Sequence, residues 1–334
     1  MRSILFILAV VLACWNLFLS SALADDPIYA PVAHSELQAL RWNGVAYESE
    51  WTYNHLTSTL YPVQLVGVVI NNPSDMLDYS LSAASPRWQT FIQAIDPSDF
   101  GGTALYMMQK NVKGEAQYYS DSEWLDEMDR LNNLTYGGEE VTLRYGDKVR
   151  IEAKSPGLYY KGKFNINEQH MKSSDYDFSI TVLERDVAPD VANITLADLK
   201  SSDDSSFLFD ETRATGCEHY QASLVHLDDL LLEDANDWAT NGVVTVKQGD
   251  LTFGMKLGLD AALASIDAES LETNPFGVTA ILDQEGDVSA GYRLWLTSAS
   301  GLTTVPEPGS LLLLLRALAG LLVWRARSWR QSTR

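Results

Sequence analysis

The stretch WQTFIQAIDPSDFGGTALYMM, residues 88–108, decides how the rest of the chain is read. Two runs rich in apolar, aromatic and β-branched residues flank a segment built from Asp96, Pro97, Ser98, Asp99, Gly101 and Gly102, which is the composition of a turn between strands. Working outward to the N-terminal side, VQLVGVVI at 63–70 is a further strand, so 88–95 and 103–108 become the second and third of a set. On the C-terminal side, Ser120, Asp121, Ser122 and Glu123 have the spacing of a capping box, in which a serine side chain and a glutamate three residues on satisfy the free N–H groups of a helix start. Trp124, Leu125, Met128 and Leu131 follow at helical spacing, predicting a helix over 121–132. Tyr145-Gly146-Asp147 then opens a strand at 148–153, Pro156-Gly157 turns the chain into a strand at 159–166, and 176–183 closes this half. The second half repeats the order, with strands at 219–227, 242–247 and 251–257, a tight hairpin at Gln248-Gly249-Asp250, an Ala-rich helical stretch at 260–271, and strands at 276–282 and 292–296.

Three strands, a helix, then two strands is the order of an OB-fold barrel. The segments WQTFIQ, GGTALYM and YGDKVRIEA in the first half, and NGVVTV, GDLTFGM, FGVTAILDQEG and GYRLWL in the second, resemble exported OB-fold modules related to the nucleic-acid-binding type. The expected fold is mainly β: two tandem OB-like five-stranded barrels with one short helix each. They span 25–183, including an N-terminal extension, and 207–303. A linker is expected at 184–206, where Pro189 and the run Ser201-Ser202-Asp203-Asp204-Ser205-Ser206 stand. A pair of β-sandwich domains is the alternative that short strands with regular turns also permit.

The two ends read as addresses. Residues 1–24 start with Met1-Arg2, continue as an apolar core and finish on Ala22-Leu23-Ala24 before Asp25-Asp26, the anatomy of a secretory signal peptide cleaved at a small-x-small site. Residues 305–334 carry Pro306-Glu307-Pro308, an apolar run from Leu311 to Trp324 interrupted by Arg316, and a basic stop at Arg325, Arg327 and Arg330. This tail resembles the PEP-CTERM sorting signal of exported bacterial proteins. The resemblance implies an exosortase-type membrane protease as a processing partner. The run lies at the short end of what crosses a bilayer, since about 20 apolar residues are needed, and a central arginine costs at least about 2.5 kcal/mol. It is therefore expected to anchor the chain to the membrane transiently, with its C-terminus cytoplasmic under the positive-inside rule. The body of the chain is expected outside, in the cell envelope or beyond it.

The formal charge is −21; residues 1–24 hold one arginine and 306–334 hold five arginines against Glu307, so the part between carries −26. Such a charge repels polyanions at long range and disfavours generic binding to nucleic acid or anionic lipid. Within it, Arg144, Lys148, Arg150, Lys154, Lys161 and Lys163 are interleaved with Tyr145, Tyr159 and Tyr160. Cations for a polymer backbone and rings for stacking make Lys148, Arg150, Lys154, Tyr159, Tyr160, Lys161 and Lys163 the candidate ligand patch. The competing explanation is an edge strand whose lysines discourage pairing. Removing 1–24 leaves Cys217 as the single cysteine, expected to be a structural thiol. Cys217, His219 and His226 carry metal-ligating groups, but alternation along one strand sends His226 to the opposite face, so no metal and no cofactor is expected. No nucleophile elbow, P-loop, dinucleotide fingerprint or paired-histidine metal motif occurs. Three functions remain open: a non-enzymatic exported protein of the cell surface or extracellular matrix that binds a protein or polysaccharide partner, an extracellular single-stranded nucleic-acid binder, or an accessory module of an exported hydrolase.

Overall fold

A computed structural model of the protein describes residues 28–54, 62–110, 118–168, 176–285 and 291–304. The signal-peptide reading at 1–24 and the sorting tail at 305–334 lie outside the described residues. The fold is mainly β and contains one closed five-stranded barrel and one half-barrel.

The first half supplies β1 (Val63–Val69), β2 (Arg87–Ala94), β3 (Gly102–Met108), α1 (Asp121–Asn132), β4 (Lys148–Ala153), β5 (Leu158–Lys161), β6 (Lys163–Ile166) and β7 (Phe178–Glu184). Helix α1 spans the predicted residues because its capping box forms. The Ser120 hydroxyl accepts from the Glu123 N–H, and the Glu123 carboxylate accepts from the Ser120 N–H at 2.7 Å. Its Trp124, Met128 and Leu131 pack into the first core with Trp88, Ile92, Leu105, Val149 and Ile151. The Trp88 indole N–H is satisfied by Asn132 at 2.9 Å, and that of Trp124 by the Tyr79 carbonyl at 2.8 Å.

This half does not close into the expected five-stranded barrel. The predicted strand at 159–166 is instead a hairpin, because Gly162, at φ +77°, reverses the chain between β5 and β6; glycine reaches that region without steric cost. Strand β6 pairs in parallel with β3, and the free edge of β4 is taken by β7. The sheet order is therefore β5-β6-β3-β2-β1-β4-β7, left open as a half-barrel. The N-terminal extension adds Ala30–Pro31 in parallel beside β1 and a helical turn at His34–Leu37.

The second half supplies β8 (Ser223–Leu232), β9 (Val243–Gln248), β10 (Leu251–Leu257), β11 (Phe276–Gln284) and β12 (Tyr292–Leu296). Strands β10 and β12 are parallel, β11 pairs antiparallel with both β12 and β8, and the circuit β8-β9-β10-β12-β11 closes on itself. A single sheet closed this way is a barrel and not two facing sheets, so the sandwich alternative does not hold here. Closure depends on a register shift between Leu227 and Leu230, where Asp229 sits at φ +57°. A bulge bends a strand, letting the start of β8 pair with β11 and its end, Leu231 and Leu232, pair with β9.

Three further expectations need correction. The strand predicted from residue 219 begins at Ser223, because Gly216–Tyr220 forms a helical turn. The helix expected at 260–271 is two short pieces, a 3-10 turn at Ala261–Ser265 and a helical turn at Ala268–Leu271. Asp260 and Asp267 each accept from a backbone N–H two or three residues on, so the segment has two N-terminal caps and restarts. The stretch expected as a linker, 184–206, is packed: Ala192–Asn193 pairs with β8, and Ile194, Leu196 and Leu199 belong to the second core.

The two halves share a third apolar cluster, with Val68, Ile70, Met76, Phe91 and Ala104 from the first meeting Ala222, Leu224, Ile281 and Trp295 from the second. Side-chain parity explains it. In β2, Trp88 and Ile92 face the first core while Phe91 faces out; in β12, Leu294 and Leu296 face the second core while Trp295 faces out. Strands buried on both faces read as continuous apolar runs, which is why 63–70 has almost no polar position. Gly102 lies at the closest approach: its N–H donates to the Gln221 carbonyl at 2.9 Å, and a Cβ there would stand 2.3 Å from the Ala222 carbonyl oxygen. Gly102→Ala is expected to destabilise the protein by about 1–3 kcal/mol, the usual cost of overpacking, read as a lower urea midpoint.

Candidate functional site

The predicted patch residues are not assembled into one surface. Lys148 and Arg150 lie on β4 facing carboxylates: Lys148 is 4.0 Å from Glu184, and Arg150 is 3.4 Å from Glu152, which also accepts from Gln64 at 3.1 Å. Arg144 is likewise engaged, 2.6 Å from Asp186. Lys154, just beyond β4, is half-buried and has an interaction of its own. Tyr159 and Tyr160 lie on β5, at the other end of the sheet's hydrogen-bonding order from β4. Tyr159 is exposed, whereas Tyr160 packs on Phe164 with ring centroids 5.2 Å apart. Lys161 ends β5. Lys163, one residue past the hairpin turn, is only 6% exposed and pairs with Asp283 of the second barrel. Alternation along short strands, together with acidic neighbours, dissolves the linear concentration of charge.

Lys163 instead belongs to a polar seam where the halves meet. Its ammonium lies 5.2 Å from the centroid of the Phe91 ring and shares Asp283 with Arg293, whose guanidinium is 3.7 Å from the second carboxylate oxygen. Further along, the Leu224 N–H donates to Gln93 Oε1 at 2.9 Å, and Gln221 Nε2 donates to Gln284 Oε1 at 3.2 Å. At the end nearest the N-terminal extension, Arg213 donates to Glu218 at 2.9 Å and, more weakly, to the Gln38 carbonyl and Gln221. Both members of the Arg213–Glu218 pair are buried. Arg213 Nε and Nη2, Glu218 Oε1 and His34 Nε2 have no hydrogen-bond partner among the described residues. Burial pushes Glu218 up to about 7, with Arg213 pulling in the opposite direction. Burial also lowers His34, against the pull of Asp99.

At the opposite end of the contact, a second arrangement gathers cations around an indole. The Lys256 ammonium lies 4.5 Å, and the Arg293 guanidinium 4.7 Å, from the Trp295 ring centroid. Lys256 and Trp295 are cross-strand partners on β10 and β12, and Arg293 is two residues before Trp295 on the same face. Arg293 also pairs with Glu285. Neither Lys256 nor Arg293 stands in a basic run, so composition gives them no prominence; the signal available in sequence was only the alternation of Arg293 and Trp295 on an outward face.

Cys217 is a core thiol, donating to the Leu199 carbonyl at 3.3 Å, and burial raises its pKa far above the ordinary thiol value. His219 stacks on Phe100 at 4.6 Å, while His226 on β8 bonds Thr279 and Asp228. Among the described residues no group of three or more ligating side chains is placed to hold a metal ion. No family model and no curated protein matches this chain.

Two outcomes test the seam. Asp283→Ala leaves Lys163 buried without its carboxylate and is expected to cost about 3–5 kcal/mol, whereas Lys163→Met combined with Asp283→Leu should cost less; urea unfolding of the three chains separates them. Glu218 holds its proton in the folded chain to about pH 7, against an ordinary value of 4.5. Its contribution to stability is therefore complete below about 4.5 and is lost as pH rises to about 7. Glu218→Gln should flatten that part of the stability–pH curve.

Proposed function

We propose that the protein is an exported, non-enzymatic component of the cell surface or extracellular matrix, delivered by its N-terminal signal and C-terminal sorting tail, that binds a protein or polysaccharide partner through its β modules. The observation that carries this reading is the joining of the two modules into one body, through the shared apolar cluster and the Lys163–Asp283 pair, between two sequence segments with the anatomy of export signals. The second module supports an OB-type reading in finer detail. Its circuit runs first, second, third, fifth, fourth and back to the first strand, with the third and fifth parallel. Such modules use sheet surface and loops for ligands. Nucleic-acid binding by the first module gains no support from cations that already face Glu184, Glu152, Asp186 and Asp283.

Truncation after Thr304 tests the delivery half of this reading in the producing cells. The shortened chain is expected in the medium, while the full chain stays with the cell fraction. Recovery of both from the cytoplasm would refute export.

A further inference from the structure

We propose that Lys163 and Asp283 condense to a side-chain amide that joins the two modules covalently. This modification goes beyond the partner-binding reading above and does not depend on it. The two residues stand 120 positions apart in the chain. Lys163 starts β6 just past the Gly162 turn, Asp283 lies within β11, and Lys163 Nζ is in contact with Asp283 Oδ1. Their side chains are 7% and 3% exposed. By contrast, the carboxylates of the Lys148–Glu184 and Lys200–Asp204 pairs are 60% and 27% exposed, and water there competes with any condensation.

Both reacting groups are held in place by their own strands. Phe164, the residue after Lys163, donates its N–H to Gln38 Oε1 at 2.9 Å, and its carbonyl accepts from Gln38 Nε2 at 3.1 Å. Asp283 is the cross-strand partner of Arg293 and stands between Leu282 and Gln284, both buried. Two groups fixed in contact react as though at an effective concentration that reaches about 10⁵–10⁸ M. The surroundings also favour a neutral product. The Lys163 ammonium lies 5.2 Å from the centroid of the Phe91 ring, and Phe91 belongs to the apolar cluster with Val68, Ala104, Leu224 and Trp295. An ion pair loses its hydration in such a place, whereas an amide carries no charge to hydrate.

In the step itself, the ammonium passes one proton to Oδ1, which cancels both charges. The Nζ lone pair then attacks Cγ, and the electron pair of the C=O bond moves onto Oδ2. That oxygen faces the Arg293 guanidinium, 3.7 Å away, which stabilises the charge formed there. When the pair returns, the Cγ–Oδ1 bond breaks, and Oδ1 takes a second proton from nitrogen and leaves as water. The product is an Nζ–Cγ amide with one N–H, and no oxidant, reductant or cofactor enters. Among the described residues the single cysteine, Cys217, is buried and free, so no disulfide there ties the modules together. The amide supplies that tie, and a link that closes a long loop strongly restricts the unfolded chain.

The test is mass spectrometry of the full-length protein, purified in detergent, with Lys163→Arg beside the wild type. The wild-type chain is expected to weigh one water less than its sequence, judged against the variant with the same ends. Its digest should contain a branched peptide in which Lys163 is joined to Asp283, and the denatured chain should run ahead of Lys163→Arg on a gel. The branched peptide is read from the wild type alone, so the result stands even where the variant fails to fold. Recovery of Lys163 and Asp283 in separate linear peptides, from a chain of full sequence mass, would overturn the bond. So would the same loss of water in Lys163→Arg, or a loss confined to an unbranched Asp283 peptide, the mark of a cyclic imide at that aspartate. None of these outcomes touches the delivery reading, which is judged by the truncation after Thr304.

Discussion

The contact between the Gly101-Gly102 turn and the start of β8 is the constraint around which the two modules are arranged. Gly102 donates to the Gln221 carbonyl, and the adjoining strands bury Phe91 and Ala104 against Leu224, Ile281 and Trp295. No side chain fits at Gly102 without moving backbone, because carbonyl oxygens of Ala222 and Ile92 stand 2.3 and 2.4 Å from where its Cβ would be. From this close approach follow the burial of Lys163 and Asp283 and the double-sided burial of β1, β2, β11 and β12.

Polar groups in the junction are handled in two ways. Gln93, Gln221 and Gln284 satisfy backbone and one another, giving the interface a fixed register at modest cost. Arg213 and Glu218 are paired away from water, and desolvation raises Glu218 to about 7 against the pull of Arg213. Their unmatched nitrogen and oxygen atoms mark the place where the seam is least well compensated. Arg213 also ties the 213–221 segment to Gln38 of the N-terminal extension.

Local signals were legible wherever local physics decides the outcome. The Ser120 capping box, the turn at Gln248-Gly249-Asp250 and the strands at 148–153, 251–257 and 292–296 are all found where periodicity and turn chemistry put them. The errors have separate causes. Gly162 turned a long strand into a hairpin, Asp267 restarted a helix, and Leu196 and Leu199 drew an apparent linker into the second core. The candidate patch failed as a unit for a related reason: a linear count of lysines ignores which face each side chain takes and which carboxylate lies across the strand.

The sequence by itself determined helix α1, most of the strands and the excess of negative charge, because each depends on residues within one or two turns or on composition. The tertiary structure alone decided that one half closes and the other does not, since closure depends on which edge β7 and β6 choose. It also decided that Lys163 is an interior group paired with Asp283. Pairing between distant strands carries no local mark, so the charges that matter at the junction are chosen by packing and not by their neighbours in the chain.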